Sequence, residues 1–196
     1  MKLLIIDSCV RGEKSSTRKF FQTYVESFLE KNPGTEIEYL FLPEELIVPQ
    51  DQEYLEERDS FIAERNFSSP MFDYAKQFAA ADEIVIGAPY WDCSFPSFLK
   101  IYFENCSVSG ITFGTNSNGS LQGLCMAKRI HYFCTCGGFI DGPHLGVEYV
   151  KALGKMFGIS EVIPYIIQGL DTEPSTRNER FEKQLKEFSK KFSDTV

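Results

Sequence analysis

Three groups of residues have the types and spacing to do chemistry. The first is Ser15, Ser16 and Thr17, three hydroxyl residues in a row where a polar loop running from Ser8 and Cys9 gives way to a helical pattern. A helix start offers unpaired backbone N–H groups and the positive end of its dipole, and hydroxyls add donors, so the combination suits a phosphate. A plain serine cap needs one hydroxyl, not three. No Gly-Lys-Ser/Thr closes the loop, which argues against a nucleoside triphosphatase.

The second group is Ala88-Pro89-Tyr90-Trp91-Asp92-Cys93-Ser94-Phe95-Pro96, which holds the only tryptophan. Its prolines stiffen the backbone, and its aromatics suit a flat heteroaromatic ring. Plain packing against the next helix is the alternative. The third group is Thr135-Cys136-Gly137-Gly138, followed by Asp141-Gly142-Pro143-His144. Paired glycines allow positive φ and close approach of backbone to a ligand, although a simple strand-to-helix turn uses glycine too. Cys134 and Cys136 form a Cys-x-Cys, while Cys9 and Cys93 fall on the other two loops. This spacing matches no zinc or iron–sulfur pattern, so no metal is expected and these read as small buried residues. His131, inside an apolar run, reads as a core histidine.

The elements that must position these loops follow from periodicity. Lys2 to Asp7 is a short apolar run and reads as the first strand. A helix follows from Ser15 to about Lys31, with Phe20, Tyr24 and Phe28 on one face, stopped by Asn32-Pro33-Gly34. Glu36 to Phe41 is a second strand. Residues 43–70 form an acidic excursion with a short helix near 53–65, and Phe72 to Ala81 is helical. Glu83 to Pro89 is a third strand, apolar on both faces. An aromatic helix runs to Ser109-Gly110, and Asn116 to Gly123 reads as a loop. Ala127 to Thr135 is the fourth strand, His144 to Phe157 a helix, and Ile159 to Gln168 the fifth strand, with Pro164 marking an edge or bulge. A last helix follows Pro174 and ends near Phe192. Strands alternating with helices predict an α/β fold: a three-layer, doubly wound parallel sheet in the flavodoxin-like order 2-1-3-4-5. In such a sheet ligands bind beyond the carboxyl ends of the strands, where all three loops lie.

Composition bounds the rest. The 196 residues suggest one domain, 1–196. Twenty basic against 28 acidic residues give a net charge of −8, which argues against nucleic acid and anionic lipid as partners. No apolar run is long enough for a membrane span, and the start, MKLLIIDS, turns acidic before a signal peptide could form. A cytoplasmic protein with free thiols is expected.

With the three loops placed, the chain resembles the flavodoxin-like NAD(P)H dehydrogenase (quinone) family, and within it the FMN-dependent NADH-azoreductases. The carrying motifs are Ser15-Ser16-Thr17, Ala88-Pro89-Tyr90-Trp91, Gly110-Ile111-Thr112-Phe113, Thr135-Cys136-Gly137-Gly138 and Asp141-Gly142-Pro143. The resemblance implies that Ser15, Ser16 and Thr17, with Cys9 nearby, hold the FMN phosphate. It implies that Pro89, Tyr90, Trp91, Asp92 and Cys93 lie along the flavin ring, and that Thr135, Cys136, Gly137 and Gly138 touch its other edge. It further implies NADH or NADPH as donor, small-molecule acceptors such as quinones and azo compounds, ping-pong two-electron transfer, and a homodimer with the flavin near its interface. The aromatic helix Phe95, Phe98, Tyr102 and Phe103 suggests the same interface. The chain departs from the family's usual pattern at Cys9, where serine is common, and at Trp91-Asp92-Cys93, where Tyr-Asn-Phe is usual. It also has a shorter segment after Gly138, with no histidine directly behind the glycine pair. A flavodoxin-type electron carrier and a non-catalytic flavin sensor are the alternatives.

Overall fold

The computed structural model describes residues 1–195, with side chains through residue 192. Five strands form one parallel sheet: β1 (Lys2–Asp7), β2 (Glu36–Phe41), β3 (Glu83–Gly87), β6 (Arg129–Thr135) and β7 (Glu161–Ile167), in the order β2-β1-β3-β6-β7. Between β3 and β6, β4 (Phe113–Thr115) and β5 (Leu121–Gly123) pair antiparallel outside this sheet. The Gly/Asn/Ser content of 116–123 predicts a loop, and the structure makes part of it a hairpin strand. The pair was missed because each strand has only three residues and the Asn116–Gly119 turn dominates the local signal.

The helices are α1 (Ser16–Lys31), α2 (Gln52–Ala63), α3 (Asp73–Ala80), α4 (Ser97–Cys106), α5 (Leu145–Phe157) and α6 (Arg177–Thr195). They cover both faces of the sheet because the central strands are apolar on both. Leu3, Ile5, Val85, Phe133 and Tyr165 pack with Phe20, Tyr24 and Phe28 of α1 and with Phe181 and Phe192 of α6. The alternate residues Leu4, Ile6, Ile84, Ile86 and Tyr132 pack with Phe78 of α3, Tyr102 and Phe103 of α4, and Val147 and Val150 of α5.

Local chemistry sets the ends. The Ser15 hydroxyl accepts the Arg18 N–H and caps α1, so the helix starts at Ser16. Gly158, at φ 85°, closes α5 in the left-handed region. Strand β7 pairs only with β6, and as an edge strand it tolerates the missing N–H of Pro164. Helix α4 stops at Cys106, short of Ser109, because the Thr112 hydroxyl turns back to donate to the Cys106 carbonyl at 2.7 Å. Its aromatics turn inward: Tyr102 and Phe103 are fully buried, and Phe98, with Phe95 just ahead of the helix, is half-buried against the same core.

Candidate functional site

The carboxyl ends of β1, β3 and β6 open into a pocket of about 600 Å³, measured out to its mouth. From the first loop Cys9, Ser15, Ser16 and Thr17 line it; from the second, Pro89, Tyr90 and Trp91; from the third, Thr135, Cys136 and Gly137. Asp92, Cys93 and Gly138 are not part of this lining. Val10, Arg11, Lys14, Leu170, Asp171 and Arg177 complete it, and none of these was singled out from sequence. Arg11 and Lys14 sit in the first loop, where the three hydroxyls are the stronger pattern. Val10 is in the same loop; Leu170, Asp171 and Arg177 follow β7, and the rule that points to the ends of the other strands points to that loop as well.

At the first loop, helix geometry creates the anion-binding potential. The Ser15 N–H donates to the Gly12 carbonyl and the Arg18 N–H to Ser15 Oγ. The Ser16 and Thr17 N–H groups are left without an acceptor among the described residues, as expected in a first helical turn. The three hydroxyls are not equivalent. Ser15 Oγ is the cap, while Thr17 Oγ1 lies 2.7 Å from Thr135 Oγ1 and ties the first loop to the end of β6. Behind the loop, buried Asp7 accepts from Arg18 Nε at 2.5 Å, from Tyr39 Oη at 2.6 Å and from the Cys9 N–H at 2.8 Å. Arg18 also bonds Glu13 and stacks on Phe41 at 4.3 Å. This network balances the acid beneath the loop, which leaves Arg11 and Lys14 as the cations at this end of the pocket. Burial pushes the Cys9 thiol far up, so it stays neutral.

At the second loop, Trp91 and Ser94 exchange backbone hydrogen bonds at 3.2 and 2.8 Å. Between them Asp92 (φ 48°) and Cys93 (φ 66°) both adopt positive φ, the pattern of a type I′ hairpin turn. Asparagine and glycine suit such positions; a cysteine there is strained. The turn holds Asp92 and Cys93 exposed at its tip and sets Trp91 against the pocket.

The third loop uses its glycines differently from the sequence reading: neither Gly137 nor Gly138 has positive φ. Gly137 is needed for close approach. A Cβ there would lie 2.5 Å from Asp171 Oδ2, and the Asp171 N–H donates to the Gly137 carbonyl at 2.7 Å. Asp171 is paired in turn with Arg177 at 2.7 Å. Gly138 faces open space, but its carbonyl accepts the Gly169 N–H. Below the loop, Cys136, Cys134 and His144 gather. The Cys134 hydrogen bond lowers the Cys136 pKa, and burial lowers that of His144. His131 lies away from the pocket, buried beside Tyr24, Glu83 and Tyr165.

Comparison with known proteins agrees with this architecture. The Flavodoxin_2 family, described as a flavodoxin-like fold, matches residues 1–192. An FMN-dependent NADH:quinone oxidoreductase of Clostridium perfringens is 32% identical over 196 residues, covering 97% of this chain and 99% of that one. One of the same name from Clostridium beijerinckii is 32% identical over 203 residues, covering 100% and 98%. The crystal structure of an azoreductase from Bacillus anthracis superposes with a TM-score of 0.82 at 24% identity, covering 99% of both chains. That of an FMN-dependent NADH-azoreductase from Bacillus anthracis, in complex with FMN, gives 0.76 at 22% identity, covering 98% and 99%.

Proposed function

Because the chain belongs to the Flavodoxin_2 family of flavodoxin-like folds, we propose that it is an FMN-dependent oxidoreductase in which residues 1–196 act as one FMN-binding domain. It passes electrons from NADH to a quinone, the activity carried in the names of relatives that cover 97% and 100% of the chain, and to azo or related acceptors, as the names of its azoreductase structural neighbours suggest.

The observation that carries the reading is the pocket's division into two ends of different chemistry. One end has two free N–H groups on a helix start, Ser16 and the cations Arg11 and Lys14, which is a donor set for a phosphate dianion. The other has the stiff Pro89-Tyr90-Trp91 wall and the close backbone of Gly137, which suit a flat ring. FMN has these two parts, and a mononucleotide needs no second phosphate site. Bound there, it supplies a ring that takes a hydride and gives two electrons back. The chain's own task is placement. Thr17 and Thr135 lock the two loops together, Tyr90 is fixed through its N–H to the Thr135 carbonyl at 3.1 Å, and Trp91 presents its side chain at the mouth. Asp92 and Cys93, at the tip of the turn, act by aiming Trp91, and Gly138 acts through its carbonyl to Gly169.

We place the enzyme in the cytoplasm, as a homodimer. The cytoplasmic reading rests on six free cysteines and on the lack of any helix, among the described residues, long and apolar enough to cross a membrane. The dimer reading rests on exposed apolar side chains on the elements that line or flank the pocket: Val10, Trp91 and Phe139 on loops and Leu145 at the start of α5. Initial rates of NADH oxidation at several concentrations of a benzoquinone test the function. Parallel double-reciprocal lines are expected, because the Trp91 wall borders one open mouth that donor and acceptor must use in turn. Intersecting lines would require both to sit in the pocket together and would overturn the alternating reading.

A further inference from the structure

Alternation along β6 and into the loop beyond it puts Tyr132, Cys134 and Cys136 on one face of the sheet, and the start of α5 brings His144 over them. The two sulfurs and a ring nitrogen of His144 lie within 4.8 Å of one another, and all three residues are buried. His144 Nε2 stands 3.4 Å from Cys134 Sγ. On a tetrahedral zinc ion, with Zn–S of about 2.3 Å and Zn–N of about 2.0 Å, sulfur and nitrogen are about 3.5 Å apart. The neighbouring Tyr132 hydroxyl is buried with no hydrogen-bond partner among the described residues. A Cβ at Gly146 would lie 3.0 Å from that hydroxyl and 3.2 Å from the His144 ring, so the orphaned group shares the same small space.

We propose that Cys134, Cys136 and His144 form a binding site for one thiophilic divalent ion of the zinc class. Two sulfurs and an imidazole exclude calcium and magnesium, which take oxygen donors. Three protein donors leave one tetrahedral position, and Cys136, the donor that lines the pocket, marks the way in. The primary spacing hid the site because the third donor comes from the next element.

Ion binding here is exchangeable, for a reason visible at His144. Its Nδ1 accepts the Val147 N–H at 3.2 Å as the cap of α5, so in the ion-free protein the ring proton sits on Nε2, towards Cys134. Ligation through Nε2 moves that proton to Nδ1 and ends the cap bond. Each thiol gives up its proton as its metal–sulfur bond forms, so two protons leave per ion and nothing is oxidised or reduced. Loss of that cap bond offsets part of the binding energy, which keeps the ion exchangeable. The inference goes beyond the flavin reading and does not depend on it.

The test is a titration of the reduced, chelator-stripped protein, in the flavin state in which it is isolated. The probe is Cd²⁺, followed by its thiolate absorption and by proton release. One equivalent should bind and release two protons. Cys134→Ser and Cys136→Ser should each weaken binding about tenfold or more. His144→Asn should weaken it similarly while leaving the melting temperature close to wild type, because asparagine keeps the helix cap. Cys125→Ser should leave Cd²⁺ binding unchanged. Absence of saturable binding would overturn the site, as would binding unaffected by Cys134→Ser or by His144→Asn. The flavin absorbance of each sample is read separately, so loss of flavin is not mistaken for loss of the ion site.

Discussion

Arg11 and Lys14 are the residues through which charge at the pocket is most directly tested. Both line its helix-start end, where Asp7 is already balanced by Arg18. A charge-assisted hydrogen bond contributes about 1.5–3 kcal/mol. Replacing both cations by alanine should therefore weaken FMN binding about tenfold or more while leaving riboflavin, which lacks the phosphate, nearly unchanged. Fluorescence quenching titrations with the two ligands measure this, and equal losses for both would contradict the assignment. Cys93 gives a second prediction. At φ 66° it is held where glycine is at ease, so Cys93→Gly should raise stability by about 1 kcal/mol in urea unfolding. A fall would mean that its side chain contributes more than its backbone costs. At this scale the site was legible where residue type alone carries the message, as with Ser16, Trp91 and Gly137. Gly137 was found for an incomplete reason, since its lack of a Cβ makes room for Asp171 and its φ is ordinary. Asp171 and Arg177 were not legible, because an ion pair on a turn carries no local pattern.

Among the elements, the β4–β5 pair is held by a contact that only glycine permits. A Cβ on Gly123 would lie 2.0 Å from the Gly158 nitrogen and 2.1 Å from the Phe157 carbonyl carbon, both backbone atoms that cannot swing aside. Gly123→Ala should cost about 3 kcal/mol, the upper end of overpacking, and lower the melting temperature by roughly 6–12 °C. An unchanged melting curve would mean that the hairpin does not dock on the end of α5. The start of β3 supplies a pH dependence. Burial opposes ionisation of Glu83, but hydrogen bonds and charge from His131 and Arg129 outweigh it, so its pKa lies below the ordinary 4.5. A carboxylate depressed in the folded state contributes stability above its unfolded pKa and loses it as pH falls through the folded one. Thermal melts below about pH 4.5 should therefore fall more steeply for wild type than for Glu83→Gln. Parallel acid limbs would remove Glu83 from the account. The long buried strands and the α1 stripe could be read from periodicity because hydrophobic burial writes that pattern. The hairpin could not, since its short strands answer to a backbone contact with α5 rather than to a face of the core.

For the whole molecule, the sheet order brings four loops to one edge, although only three announced themselves in sequence. Parallel pairing in the order β2-β1-β3-β6-β7 puts the ends of β1, β3 and β6 side by side at the centre, with the loop after β7 closing one flank. The aromatic excess pointed to an interface through α4, and the structure spends those rings on the core instead. Among the exposed apolar groups, Phe139 at 74% stands between β6 and α5 and Leu145 at 53% opens α5. The proposed function puts FMN at this edge, reduced there by NADH. The measurement that tests it most directly is an anaerobic titration of the FMN-loaded protein with NADH, followed in the visible spectrum and then by addition of one equivalent of quinone. One equivalent of NADH should bleach the flavin band, and the quinone should restore it. A protein that binds FMN but is not bleached by NADH would contradict the account and point to an electron carrier.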